Sequence, residues 1–399
     1  MIKISCVLFI LAVAVLLASC GGTHTIGAAN GTGNGGAAAQ FAGQQFMAGI
    51  AHVAGNYGFT QENFLVEGAE RISQLGSSSI FVYLTPSFRT DYPDRTAGMW
   101  PAGNPASLTE LAKTAPYKKI FALPFKTIVL TTYTFANQDV VAGFADGTDR
   151  AKAEEQEFYD LAKYLYQQYA GSGKTFVLKN WEGDWIGLQG YDTTVNVSGT
   201  MVASMISWLS ARERGVSRAR QDSATSGVSV LNAVEVNRVL DTQQGLTRVI
   251  NAVVPKVNPD MVTYSSYDST TGQNQDSTSL TNSLNQALQI IKQFAPDPLG
   301  LGDRRILISE YGLFENSYGN EAVWRTQTIL STAKAAGIAG AFLWNVFDNE
   351  CKLANGQTAP VGATPGAPSR PTDAQCRGLW IVRPDGTQST VLGALQKYW

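Results

Sequence analysis

Eight short apolar runs, separated by stretches of helical periodicity, constrain the fold of this chain more than any other feature. The runs occupy residues 46–53, 79–84, 127–133, 229–236, 261–267, 305–310 and 339–346. One more opens at Thr175 and closes in Lys179-Asn180-Trp181-Glu182-Gly183-Asp184-Trp185. Between them, apolar residues recur at helical spacing over 62–75, 151–169, 197–212, 280–294 and 321–335, with shorter helical stretches at 108–112 and 246–253 and a closing helix at 389–398. Strands joined by helical crossovers run parallel, and parallel strands covered on both faces read as unbroken apolar runs. Eight such units predict an α/β fold, a single closed (β/α)8 barrel. A doubly wound open sheet is the alternative. It usually carries a Gly-rich first turn for phosphate, and this sequence has none.

Charge and composition narrow the partners. A formal net charge of -2 with 16% charged residues gives no reason to expect nucleic acid or an acidic membrane surface. Only two histidines, His24 and His52, occur, which argues against metallohydrolases that need several imidazoles. No metal site is expected.

The N-terminus reads as a targeting segment. Lys3 precedes an apolar stretch over 4–17 that is short for a spanning helix, and Leu17-Ala18-Ser19-Cys20 resembles a bacterial lipobox. The expectation is a signal peptide over 1–19 and lipid on Cys20, which anchors the protein to a membrane without spanning it, at an outer membrane or cell surface. Residues 20–45, rich in Gly and Ala, are expected to form a flexible tether before a folded domain over 46–399. With Cys6 removed and Cys20 lipidated, Cys351 and Cys376 remain, an even pair that reads as a disulfide in an exported protein. It staples a Pro- and Gly-rich loop after the eighth strand. The protein is expected to act as a monomer.

In a barrel of this kind the active site lies at the C-terminal ends of the strands. The polar residues there are His52, Tyr133 and Asn137, then Asn180, Glu182 and Asp184, then Glu235 and Asn237, followed by Tyr264, Tyr267, Glu310, Trp344, Asn345 and Asp348. Carboxylates, amides and aromatics dominate, with no serine–histidine or cysteine nucleophile signalled. Two carboxylates with aromatic platforms suit glycoside chemistry, in which one carboxyl protonates the leaving group and the other attacks or activates water.

This pattern resembles the clan A retaining glycoside hydrolases of (β/α)8 fold. The resemblance rests on Asn180 and Glu182 after strand four, Tyr264 or Tyr267 at strand six, Glu310 in Ser-Glu-Tyr-Gly at strand seven and Trp344 in Phe-Leu-Trp-Asn at strand eight. It implies a glycosidase acting on an oligo- or polysaccharide by double displacement without any cofactor, with Glu310 as nucleophile and Glu182 as acid/base. It also implies that Asn180 holds the sugar 2-hydroxyl, that Tyr264 or Tyr267 bonds Glu310, and that Trp344 floors the subsite. Trp181, Trp185, Asn237 and His52 complete the expected binding set. One departure stands out: in the clan the Asn directly precedes the acid/base Glu, whereas here Trp181 intervenes. If side-chain alternation continues through the insertion, Asn180 and Glu182 fall on one side; otherwise a bulge re-aims one of them, and Asp184 is the competing acid. A binding protein that has lost catalysis and a transglycosylase remain alternatives on the same residues. Glu235 and Asp348 read as supporting or ion-pair residues, and Arg89, Arg95, Lys179 and Arg238 as solvated cations unless they converge on the cleft.

Overall fold

The computed structural model describes residues 41–399, apart from 42, 96–98, 139–140, 224–225 and 273–275. Residues 1–40, on which the expected signal peptide over 1–19, lipidation of Cys20 and most of the expected tether fall, lie outside the described residues. Eight parallel strands close into one barrel in sequence order: β1 Met47–Ala51, β2 Ser79–Leu84, β3 Thr127–Thr132, β4 Thr175–Lys179, β5 Ser229–Val236, β6 Met261–Ser265, β7 Ile306–Tyr311 and β8 Gly340–Leu343. The expected (β/α)8 barrel is the observed fold.

Side-chain parity decides what each strand residue can do. Along β4, Phe176 and Leu178 pack outward among the helices while Val177 fills the barrel, which makes Lys179 an interior residue. By the same alternation Phe81 and Val129 face inward, as do Leu231 and Ala233, while Ile80, Ile128, Val230 and Val234 face the helices. Glu235 continues the inward row of β5.

Two irregularities interrupt this order, both around β7. The pairing with β6 shifts register at Tyr264 and Ser265, so that Ser265 stands opposite Glu310, and the pairing with β8 shifts between Ile308 and Tyr311. Strict alternation would send Glu310 outward with Ile306 and Ile308. The extra residue lets both Ser309 and Glu310 point into the barrel before Tyr311 returns to the outer layer. This is the re-aiming that a β-bulge performs.

The outer layer differs from expectation mainly at element ends. The helix predicted at 197–212 runs over Gly199–Gln221, and that at 246–253 is two short pieces, Val249–Ala252 and Val254–Val257. A further helix runs over Ala115–Ala122, with Tyr117, Ile120 and Phe121 as its buried face. Strand six ends at Ser265, so Tyr267 opens a short helix, Tyr267–Thr270, instead of closing the strand. The helices Asp149–Gln168 and Gly199–Gln221 are tied together through Glu154. This buried carboxylate accepts from Thr134 Oγ1 at 2.6 Å, Asn137 Nδ2 at 2.7 Å and Trp208 Nε1 at 2.8 Å, and stands 3.8 Å from Arg212.

The folded part also begins earlier than expected. Phe41 is fully buried with Met47, Leu301 and Ala339, and Gln44 bonds Thr127 and Thr175 at about 3.1 Å each. Phe41 is the one large apolar side chain in its neighbourhood, and it closes the N-terminal mouth of the barrel. Cys351 and Cys376 form the expected disulfide, across a separation of 25 residues. Among the described residues no helix is long and apolar enough to cross a membrane.

Candidate active site

At the C-terminal ends of the strands a cavity of about 550 Å³ opens to solvent. Glu182 and Glu310 both line it, with Trp181, Trp185, Tyr267 and Trp344 as its aromatic walls. A second hollow of about 470 Å³ adjoins it, sharing Tyr83 and Trp181.

Glu310 arrives from the irregular end of β7. Its carboxyl is almost wholly buried, and Oε1 has no hydrogen-bond partner; the ammonium of Lys179 stands 3.5 Å from it. Burial pushes this carboxyl up from the usual range, Lys179 pulls it back, and the charges of Glu235 and Glu182 push it up again.

Glu182 reaches the cavity by a different route. β4 ends at Lys179, so alternation no longer governs the residues after it. The chain turns through Asn180 and Trp181 into the helix Gly183–Leu188, with Glu182 at its N-terminal cap. Burial, reinforced by the charge of Glu235, pushes the Glu182 carboxyl up to about 7. A carboxyl that holds its proton near neutrality, beside another in the same cavity, is the pairing that acid/base chemistry at a glycosidic bond requires.

The remaining predicted residues divide. Trp181, Trp185, Asn237, Tyr267 and Trp344 line the cavity. Trp344 donates from Nε1 to Asn349 Oδ1 at 2.9 Å, which fixes its ring at the cavity wall. Three others do not reach it. Asn180 is fully buried and absent from the cavity lining: its Oδ1 accepts from the Glu235 backbone at 3.0 Å and its Nδ2 donates to the Trp181 carbonyl at 2.9 Å. Tyr264 has the outward parity of β6, and its hydroxyl bonds Asp268 and Ser269, not Glu310. His52 has the outward parity of β1. Its ring packs edge-on against Phe64, with Nε2 2.7 Å from the Phe64 carbonyl, and burial lowers its pKa to about 4.

Asp184 is occupied as well. Its two oxygens accept from the backbone N–H groups of Asn237, Arg238 and Val249 at 2.8–3.0 Å, and Asn237 Oδ1 returns a bond from the Asp184 backbone. It is fully buried and ties the β4 turn to β5.

Residues that the sequence left unassigned also matter here. Tyr83 has the inward parity of Phe81 and lines both hollows. Lys179, taken for a solvated cation, is fully buried, 2.6 Å from Glu235 Oε2. The signal for it was available: a charge ending an otherwise continuous apolar strand, on the same face as Val177. The other cations do not converge. Arg95 pairs with Glu67, Arg89 bonds the Pro101 and Gly103 carbonyls, and Arg238, although it lines the cavity, is held by Asp241 at 2.6 Å.

No protein-family model matches this sequence, and no curated protein matches it. Solved structures do. The catalytic domain of CelCCA superposes with a TM-score of 0.52 at 9% identity, over 91% of this chain and 93% of that one. The exo-beta-1,4-mannosidase Op5Man5 from Opitutaceae bacterium strain TAV5 gives a TM-score of 0.52 at 13% identity, over 90% of this chain and 60% of that one. A GH5-4 broad specificity endoglucanase from Clostridium longisporum gives 0.50 at 9% identity, over 91% and 99%. At these identities the likeness establishes a shared (β/α)8 fold.

The turn that delivers Glu182 depends on one glycine. A Cβ at Gly183 would lie 2.4 Å from the Glu235 carbonyl oxygen, a backbone atom that cannot step aside. Gly183→Ala is expected to displace Glu182 and destabilise the fold by about 1–3 kcal/mol, as overpacking in a close-packed interior does. Chemical denaturation will check this; stability equal to the wild type would show that the turn has room to yield.

Proposed function

We propose that this protein is a retaining glycoside hydrolase that cleaves an oligo- or polysaccharide. The observation that carries the proposal is the pair Glu182 and Glu310, delivered from β4 and β7 into one aromatic-walled cavity. Glu310, ionised, attacks the anomeric carbon while Glu182 gives its proton to the departing glycosidic oxygen. The bond to the leaving sugar breaks and a covalent glycosyl ester forms on Glu310. Glu182, now a carboxylate, takes a proton from water, whose oxygen displaces Glu310 and restores both groups with the anomeric configuration retained. Indole and phenol faces at Trp181, Trp185, Trp344 and Tyr267 suit the C–H faces of pyranose rings.

Two of the matched barrels are named as a broad specificity endoglucanase and an exo-beta-1,4-mannosidase, which supports the reading and makes glucans and β-1,4-linked mannans the first substrates to test. The Lys3 n-region, the apolar stretch over 4–17 and the Leu-Ala-Ser-Cys tetrad support export and lipid attachment at Cys20. In a bacterial host, labelled fatty acid is expected to enter the wild type and not Cys20→Ser; equal incorporation in both would remove the anchor.

On a substrate the wild type cleaves, Glu310→Ala is expected to abolish hydrolysis and Glu182→Gln to slow it by about 10²–10⁴-fold. Because Glu182 must be protonated to act as acid, kcat/KM is expected to fall as pH rises through about 7, and this alkaline limb is expected to vanish in Glu182→Gln. Undiminished hydrolysis in Glu310→Ala would refute the assignment. Sugar binding with no hydrolysis of any glycan would favour a binding protein on this scaffold.

A further inference from the structure

Behind Glu310 lies a buried ion pair, Lys179 and Glu235, that the double-displacement mechanism does not use. Lys179 Nζ sits 2.6 Å from Glu235 Oε2 and 3.5 Å from Glu310 Oε1, and the three side chains are at most 4% exposed. The ammonium also lies 4.4 Å from the centre of the Phe81 ring, whose face adds a weak attraction. The far oxygen of Glu235 accepts from Ser265 Oγ at 3.0 Å and from Ser309 Oγ, and the Asn180 amide oxygen holds the Glu235 backbone N–H. Glu235 is therefore fixed on every side. Glu310 is fixed on one side only, by a cation at ion-pair distance.

We propose that Lys179 is the positioning residue of Glu310, favouring its carboxylate form and aiming it into the cavity, and that Glu235 is the clamp that keeps the ammonium in place. An isolated buried carboxylate reverts to its neutral acid, which cannot attack a carbon centre. A cation within about 4–6 Å opposes that preference, typically by one to three pH units; at Glu310 burial remains the larger effect and Lys179 is the group that works against it. Glu235 has two opposed effects. It holds the lysine ammonium in place at 2.6 Å, and its own negative charge works against ionisation of Glu310. The direction of each contribution on Glu310 agrees: Lys179 downward, Glu235 upward. The inference rests on Glu310 as nucleophile only for its catalytic consequence; the electrostatic coupling stands or falls separately.

The test is the titration of Glu310, followed by carbon-13 NMR of protein labelled at the glutamate carboxyl and assigned by the resonance lost in Glu310→Gln. Glu235→Gln is expected to move the Glu310 midpoint to lower pH, and Lys179→Met to move it to higher pH by about one unit or more. Where Lys179→Met fails to fold because Glu235 is left unpaired, Lys179→Met with Glu235→Gln decides the matter. Its midpoint is expected to lie above that of Glu235→Gln alone by a similar amount. In kinetics, the acidic limb of kcat/KM is expected to follow the same shifts with KM little changed, and Lys179→Arg to recover part of the loss. A Glu310 midpoint identical in Glu235→Gln and the double variant would overturn the proposal, since a purely structural lysine predicts that result. The predicted shifts in a protein that hydrolyses nothing would uphold the coupling and sink the nucleophile assignment. Hydrolysis with an unmoved midpoint would do the reverse.

Discussion

A lysine ammonium enclosed by two glutamates at the floor of the cavity is the interaction on which the site depends. Three ionisable groups are buried together, with Glu310 alone at the cavity wall, and each is tolerable only because of the others. Remove the lysine and two like charges face one another in the barrel interior; remove Glu235 and the ammonium loses its nearest partner. The arrangement is built by parity: β4 and β5 each end an apolar inward row with a charge, Lys179 after Val177 and Glu235 after Ala233. β7 contributes its charge only because the ladder slips there, which lets Ser309 brace Glu235 while Glu310 faces the cavity.

The two candidate catalytic carboxyls are thus set in unlike environments by unlike means. Glu310 is carried on a strand end, buried, with a cation close by. Glu182 sits on a turn at the head of a short helix, beside a buried aspartate, Asp184, whose oxygens are filled by backbone N–H groups. Burial and the charge of Glu235 raise Glu182; at Glu310 burial raises the carboxyl as well, opposed there by the Lys179 ammonium 3.5 Å away.

Much of this was legible in the sequence. Eight apolar runs in alternation with helical stretches implied the barrel, and the ends of runs four and seven pointed to Glu182 and Glu310. What failed did so for identifiable physical reasons. His52 and Tyr264 end strands, as functional residues in such barrels do, but each stands on the outward parity and is consumed by packing against helices. Asn180 owes its expected role to the family pattern, and the alternation that would put it beside Glu182 does not apply past Lys179, where the strand has already ended. Lys179 was dismissed because charged side chains are rarely fully buried, and its partner lies 56 positions away on another strand. The slip in β7 leaves no mark in composition or periodicity, since it arises from pairing between strands. The same limits apply at the start of the domain, where a single phenylalanine in a Gly- and Ala-rich segment was too little signal to place Phe41 in the core.

The central claim is that a sugar becomes covalently attached to Glu310 during turnover. The most direct measurement is mass spectrometry of protein incubated with a fluorosugar bearing an activated leaving group, which slows breakdown of the ester, followed by peptide mapping. The account predicts one sugar per chain, carried on Glu310 and absent in Glu310→Gln. Rapid turnover of natural substrate with no label, together with release of the inverted anomer, would contradict it, as would a label on Asp268 or Glu350, two further carboxylates that line the cavity.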